Sequence, residues 1–369
     1  MSVTVCHLID ANVDTAYFRG IARLHDRSSF PIVLGSLAPA GPLQEAMSRL
    51  DVPTFALGAR SRGGYPAAVA RLVRLLRERH VGVVHAHCFD PTGVGLVAAR
   101  LAGARFVFTR HHSDHHIRLG RHWHTRVDAW CARRADHVIA VSQATRDILR
   151  DVERVPETRV TVVYNGIEPF LEAPPEAIEA ARRELALGPG PVCLMPARLH
   201  EEKGHRFLLD ALPGIETTCG PIQVLFAGDG PHRADIEEEV RRRGLQDRVR
   251  FLGRRDDMAV LFGLATVVVL PSLAESFGLV VIEAMSLGKP VVAARTGGIP
   301  ELIDDGRTGW LVPPADARAL AEALTRVLQD PTAADVVARA GRKNAERFGL
   351  ERMVRGYEAV YRRVISAAR

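Results

Sequence analysis

What constrains this chain most is an alternation that runs through it twice. Short β-rich runs (Val3–Ile9, Phe30–Leu37, Val81–His87, Phe106–Thr109, His137–Val141, Val160–Tyr164) are separated by stretches with apolar residues three and four apart. Ala67–Arg79, Gly93–Leu101 and Arg121–Arg134 are such stretches. Strand period interleaved with helical period predicts parallel strands joined by crossover helices, a doubly wound α/β sheet. Ser142 stands where a helix over Gln143–Arg150 needs its N-cap oxygen. The pattern then breaks at Asn165–Pro169, the irregular Pro169–Pro175 and Gly188-Pro-Gly-Pro191. Beyond the break it restarts, with strands predicted at Val192–Met195, Ile222–Ala227, Val249–Leu252, Thr266–Leu270, Pro290–Ala293 and Trp310–Val312. Helices are predicted at His205–Leu212, Arg233–Arg243, Leu279–Leu287 and Ala317–Leu328. In a chain of 369 residues this implies two consecutive α/β domains of similar size, residues 1–168 and 169–349. The tail Pro331–Arg369 reads as helical throughout, with Met353, Tyr357, Val360 and Tyr361 as its apolar stripe.

Composition narrows the setting. With 47% apolar and 25% charged residues, a soluble globular protein is expected. No run of 18 apolar residues occurs, and the N-terminus reads as a first strand rather than a signal peptide. Cys6, Cys88, Cys131, Cys193 and Cys219 are scattered and form no C-x-x-C, so neither a disulfide framework nor a zinc site is suggested. A reducing cytoplasm is the simplest home. The net charge of +6 comes from arginine, since the only lysines are Lys203, Lys289 and Lys343. Such a bias reads as compositional, and no nucleic-acid partner is expected.

Three stretches of the second half carry charge or glycine where such a sheet exposes its loops. Pro196-Ala-Arg-Leu-His-Glu-Glu-Lys-Gly204 joins a strand to a helix. Open α/β sheets bind ligands at that edge, where Arg198 as a planar fork and Lys203 as a point charge can clamp a diphosphate. An ordinary charged loop is the competing reading. Phe226-Ala-Gly-Asp-Gly-Pro-His232 holds Gly228 and Gly230 but has Arg233 where the dinucleotide fingerprint needs a third glycine. A tight turn is therefore expected there. In Ala274–Ala284, Ser276, Phe277, Gly278 and Leu279 open a helix whose free N–H groups and dipole favour an anion. Glu283 lies among Val280, Val281, Ile282, Ala284 and Met285. A lone acid in so apolar a helix needs a partner or a ligand, and ribose hydroxyls would serve. Glu275 is placed either to cap the helix or to reach the hydroxyls of a sugar beyond the phosphates.

Together these motifs resemble glycosyltransferase family 4. They include Arg198-x4-Lys203-Gly204, Phe226-Ala-Gly-Asp-Gly-Pro231, Pro271-Ser272 and Glu275-Ser-Phe-Gly-Leu-x3-Glu283. Gly288-x-Pro290-Val-Val, Gly297-Gly-x-Pro300-Glu301 and Gly309-x-Leu-Val complete the set. In the first half Val84-His-Ala-His87, Thr109-Arg-His111, Val141-Ser142 and Asn165-Gly-Ile167 match more loosely. The resemblance implies the GT-B fold: two Rossmann-like domains facing across a cleft. The first would be the acceptor domain, joined by a final helix over 350–369 that crosses back to it, and the second the donor domain. It implies a retaining enzyme that takes its sugar from a nucleoside diphosphate, a UDP- or GDP-sugar, with no other cofactor. Carried over by position, Arg198 and Lys203 bind the diphosphate and Glu275 the donor sugar. Backbone amides near Gly278 and Leu279 hold phosphate or sugar oxygens, Glu283 binds the ribose, and His111 is the active-site histidine. No D-x-D occurs, as expected of a metal-independent enzyme.

Two departures matter. The family's Gly-Gly after the first strand is replaced by Asn12-Val13, so Asp10, Asn12 or Asp14 are candidates for direct acceptor contact. The run His111-His-Ser-Asp-His-His116 is histidine-rich, followed by His122 and His124. One site histidine with bystanders is preferred there over a metal pair at His112-x3-His116 or a charged patch for an acidic acceptor. The acceptor itself, the oligomeric state and the sugar stay open. Competing readings are a sugar-nucleotide epimerase, a phosphorylase, a non-catalytic nucleotide-sugar binder, and a peripheral membrane protein using Arg60, Arg62, Arg71, Arg74 and Arg77.

Overall fold

The computed structural model describes residues 2–10, 15–111, 122–168 and 170–367. They divide into two compact units, Met1–Glu168 with Phe348–Arg369, and Pro169–Arg347. The first unit holds a seven-stranded sheet, formed by β1 (Thr4–Ile9), β2 (Ile32–Ser36), β3 (Thr54–Ala56), β4 (Val81–His87), β5 (Arg105–Arg110), β6 (His137–Ala140) and β7 (Val160–Val162). Their order is β3-β2-β1-β4-β5-β6-β7, every pairing parallel. The second holds β8 (Val192–Pro196), β9 (Gln223–Ala227), β10 (Val249–Gly253), β11 (Val267–Leu270), β12 (Val291–Ala294) and β13 (Trp310–Val312), ordered β10-β9-β8-β11-β12-β13 and again parallel. In each sheet the chain moves outward from a central strand in one direction and then jumps back to build the other. The switch points lie between β1 and β4, and between β8 and β11.

The inner strands are largely buried on both faces, which explains their mostly apolar runs, whereas the edge strands β3, β7, β10 and β13 are only partly buried. β3 escapes prediction because a three-residue edge strand carries no readable period. Ser142 does cap its helix, accepting from the Thr145 N–H at 3.0 Å. The helix predicted to stop at Leu212 continues through Pro213 to Cys219. The ring costs one backbone hydrogen bond, and burial of Ile215 beyond it keeps the helix on the core.

The tail corrects another expectation. It is not one helical run but helices Pro331–Ala345 and Leu350–Ser366, interrupted at extended Gly349. There the backbone leaves the helix to pair with Ile167: Ile167 N–H donates to Phe348 O and Leu350 N–H to Ile167 O, each at 3.0 Å. The approach is so close that a Cβ on Gly166 would lie 2.6 Å from Leu350 Cα. The helix Leu350–Ser366 then belongs to the first unit, where Met353, Val354, Tyr357, Val360, Tyr361 and Val364 share a core with β1, β2 and β4. Among the described residues no helix is long and apolar enough to cross a membrane.

Candidate functional site

In the second unit the switch point brings two loops together: Ala197–Gly204 after β8 and Pro271–Gly278 after β11. Leu273 N–H donates to Glu202 O at 2.7 Å and ties one to the other. The tie places Lys203 Nζ 2.6 Å from Glu275 Oε1, with both side chains 14% exposed. Ser272 Oγ donates to the same carboxylate oxygen at 3.1 Å. Arg198 does not join them; it pairs with Glu202 at 3.0 Å, and its side chain is 65% exposed. The Gly228–Gly230 turn is the tight turn expected, and it braces the Arg198 loop. Ala197 and Leu199 N–H donate to Ala227 and Asp229 carbonyls, each at 3.1 Å. A Cβ on Gly228 would stand 2.1 Å from Ala197 O.

The helix Leu279–Ser286 starts from Gly278, which sits in left-handed backbone at φ 101° and leaves the first N–H groups without a side-chain cap. Phe277 is anchored in the core at 3% exposure, so only its backbone is available to a ligand. Ser276 is half-buried and Leu279 exposed. Glu275 does not cap this helix; its carboxylate is held by Lys203 and Ser272. Glu283, half-buried one turn in, has no side-chain partner among the described residues, and burial pushes its carboxyl up to about 7. Sequence reasoning missed what shapes the second loop from below. Gly298 N–H donates to Glu275 O at 3.2 Å and Thr296 Oγ1 to Leu273 O at 3.1 Å. A Cβ on Gly297 would fall 1.5 Å from Glu275 O. The Gly-Gly pair after β12 was the available signal. Lys289 serves as structure, donating to Gly263 O and Ala265 O, each at 3.1 Å.

In the first unit His111 follows β5 and is half-buried. Its neighbour Arg110 is buried between Asp128 at 2.7 Å and Glu153 at 2.5 Å. Behind His111 lies a set of buried histidines with no counterpart among the residues singled out for chemistry. His87 Nδ1 is 3.2 Å from His111 Nε2, and His87 Nε2 is 3.0 Å from His7 Nδ1. His85 lies between Tyr361 OH at 2.6 Å and Thr109 Oγ1 at 2.7 Å. Burial, more than any neighbouring charge, holds His7, His85 and His87 below the usual imidazole range, so they are neutral. Nitrogens of these three residues come within 4.8 Å of one another, close enough for three metal ligands. Both nitrogens of His85 and His87, and Nδ1 of His7, already have hydrogen-bond partners. Asp10 ends the β1 turn and is exposed. Asn12 and Asp14 lie outside the described residues, as do His112 to His116.

Residues 17–169 match the family model Glycosyltransferase Family 4, and residues 190–330 match Glycosyl transferases group 1. The chain is 32% identical over 292 residues to alpha-D-kanosaminyltransferase of Streptomyces kanamyceticus, covering 74% of this chain and 75% of that one. The chain is a family 4 glycosyltransferase. This glycosyltransferase is also 28% identical over 372 residues to 2-deoxystreptamine glucosyltransferase of the same organism, covering 96% and 94% of the two chains. The structure of Anabaena HepE in complex with UDP-glucose superposes with a TM-score of 0.85 at 26% identity, covering 97% and 99%. The two parallel sheets of the glycosyltransferase are those of the GT-B fold.

Proposed function

We propose that this glycosyltransferase moves a hexosyl group from a UDP-sugar to a hydroxyl of a small-molecule acceptor, with retention and without a metal. The observation that carries the donor half is the Lys203–Glu275 pair beside the open N-terminus of Leu279–Ser286, at the β8/β11 switch point. Breaking the bond from the anomeric carbon to the diphosphate builds negative charge on the leaving oxygen. Lys203, Arg198 and the Gly278–Leu279 amides stabilise that charge. The new bond forms to the acceptor oxygen, whose proton passes to the departing diphosphate. Glu275 orients the sugar through its hydroxyls, and Glu283 accepts from the ribose. His111 takes part at the transferred sugar. UDP is favoured over GDP because HepE was solved with UDP-glucose, and a small acceptor because a relative of similar length is named 2-deoxystreptamine glucosyltransferase.

A thermal-shift screen of UDP-, GDP- and other nucleotide sugars, with nucleoside diphosphates as controls, tests the donor. UDP-sugars should give the largest shift, and no shift with any donor would sink the proposal. Lys203→Ala and Glu275→Ala should each abolish turnover without changing cooperative unfolding. Turnover should survive a chelator, and the product's anomeric configuration should match the donor's.

A membrane interface is the second reading for the acceptor side. Trp123 is 54% exposed, and Arg62, one of the set Arg60, Arg62, Arg71, Arg74 and Arg77, lies 5.7 Å from the centre of its ring. Of those arginines, Arg62 pairs with Asp90 and Arg74 with Glu78, which lowers the free charge. Co-sedimentation with anionic vesicles would support this reading.

A further inference from the structure

We propose that His87 is a positioning residue for His111: its Nδ1 fixes the ring orientation and the tautomer of His111, with His7 as the buried end of the line. The inference rests on the reading that His111 takes part in sugar transfer. The line His7–His87–His111 is built from contacts of 3.0 and 3.2 Å between ring nitrogens of residues on β1, at the end of β4 and just after β5. At each contact one nitrogen donates and the other accepts. A neutral imidazole has one N–H, so His87 cannot donate at both. Whatever it does towards His7 dictates the opposite towards His111, and the line has two states.

The buried end chooses between them. His7 Nε2 is sealed from water and has no partner among the described residues. If the line ran inward, that nitrogen would carry a proton with nothing to accept it, and orphaned buried N–H groups are rare. With the line running outward, His7 Nδ1–H donates to His87 Nε2, and His87 Nδ1–H donates to His111 Nε2. The proton of His111 is then on Nδ1. His85 does not interrupt, because Tyr361 and Thr109 occupy both of its nitrogens.

The ring planes are held as well as the protons. Phe18 stands edge-on to His87 at 5.2 Å and 89°, and Tyr17 edge-on to His111 at 5.8 Å and 77°. His87 and His111 lie nearly parallel, 28° apart. His111 therefore works as an Nδ1–H donor, and its Nε2 lone pair is committed to the protein.

Long-range proton–nitrogen correlation on the full chain, labelled with nitrogen-15 in its histidine rings, reads this directly. The signals of His111 are those lost in His111→Ala. The wild type should show a single His111 tautomer, protonated at Nδ1 and bare at Nε2. His87→Asn, whose amide reaches the place of Nδ1, should keep it. His87→Leu should lose it, giving a mixture that includes Nε2–H. A wild-type His111 protonated at Nε2, or averaging between tautomers, overturns the proposal. So does a His111 spectrum unchanged in His87→Leu. If His87→Leu fails to fold, the wild-type spectrum alone decides. The underlying reading is judged separately: wild-type turnover by His111→Ala removes His111 from the reaction but leaves the tautomer result standing.

Discussion

At the scale of single residues, the acid with the most to tell is Glu283. Its carboxyl is raised to about 7 in the fold against an ordinary 4.5, so the fold favours its protonated form. The stabilisation this brings is fully present below about 4.5 and is lost as pH rises towards 7. A nucleotide whose ribose donates to the ionised carboxylate must therefore displace a proton when it binds near pH 6 to 7. Titration calorimetry of UDP-glucose in buffers of different ionisation enthalpy should show that release, and Glu283→Gln should abolish it while weakening binding. Arg110 supports the neighbouring unit in a different way. Burial raises the Glu153 carboxyl, whereas Arg110 is held charged by both of its acids. Arg110→Ala leaves Asp128 and Glu153 buried without a cation and should cost about 3–5 kcal/mol in urea unfolding. His111, the next residue, would lose its anchor with it.

At the scale of elements, the glycine loop after β12 sets the height of the donor loop after β11. Gly297→Ala combines φ +51° with a Cβ driven into Glu275 O, so the loop must move. A loss of at least about 2 kcal/mol is expected, with loss of the UDP-glucose thermal shift. A surviving shift would show that Gly297 does not hold the donor loop. Much of this layout was legible beforehand. Strand runs such as Val267–Leu270 and Val291–Ala294 were readable because burial on both faces leaves an uninterrupted apolar signature. Glu283 stood out because a charge in an apolar helix is costly without a partner or ligand, and Lys203 and Glu275 because they lie at the strand ends where open α/β sheets bind ligands. What stayed hidden depends on contacts between distant segments. Gly297 beneath Glu275 and the line from His7 to His111 have no local period, while Arg198 turning to Glu202, four residues on, is a side-chain orientation that spacing alone does not decide. Histidines inside strands read as strand residues until the parallel register sets His7 beside His85 and His87 beside Thr109.

At the scale of the whole molecule, the buried histidines make acid the sensitive direction for the first unit. His7, His85 and His87 lie below their ordinary value of 6.5, and His25 is lowered to about 4, chiefly by burial. Each contributes stability that is present above 6.5 and lost as pH falls from there towards the folded value. In the second unit Glu283 runs the other way over about 4.5 to 7, although His205 there shares the acid sensitivity. Hydrogen exchange at pH 5 against pH 7.5 should show β1 and β4 losing more protection than β11 and β12. Equal loss in both would contradict the assignment of neutral histidines. The closing helix adds a constraint of time. Tyr357 and Tyr361 complete the core around His85, yet they are translated only after the entire second unit, Pro169–Arg347, has been made. Nascent domains generally fold in the order they are made, but here the earlier half cannot close its core over His85 until Leu350–Ser366 has been made.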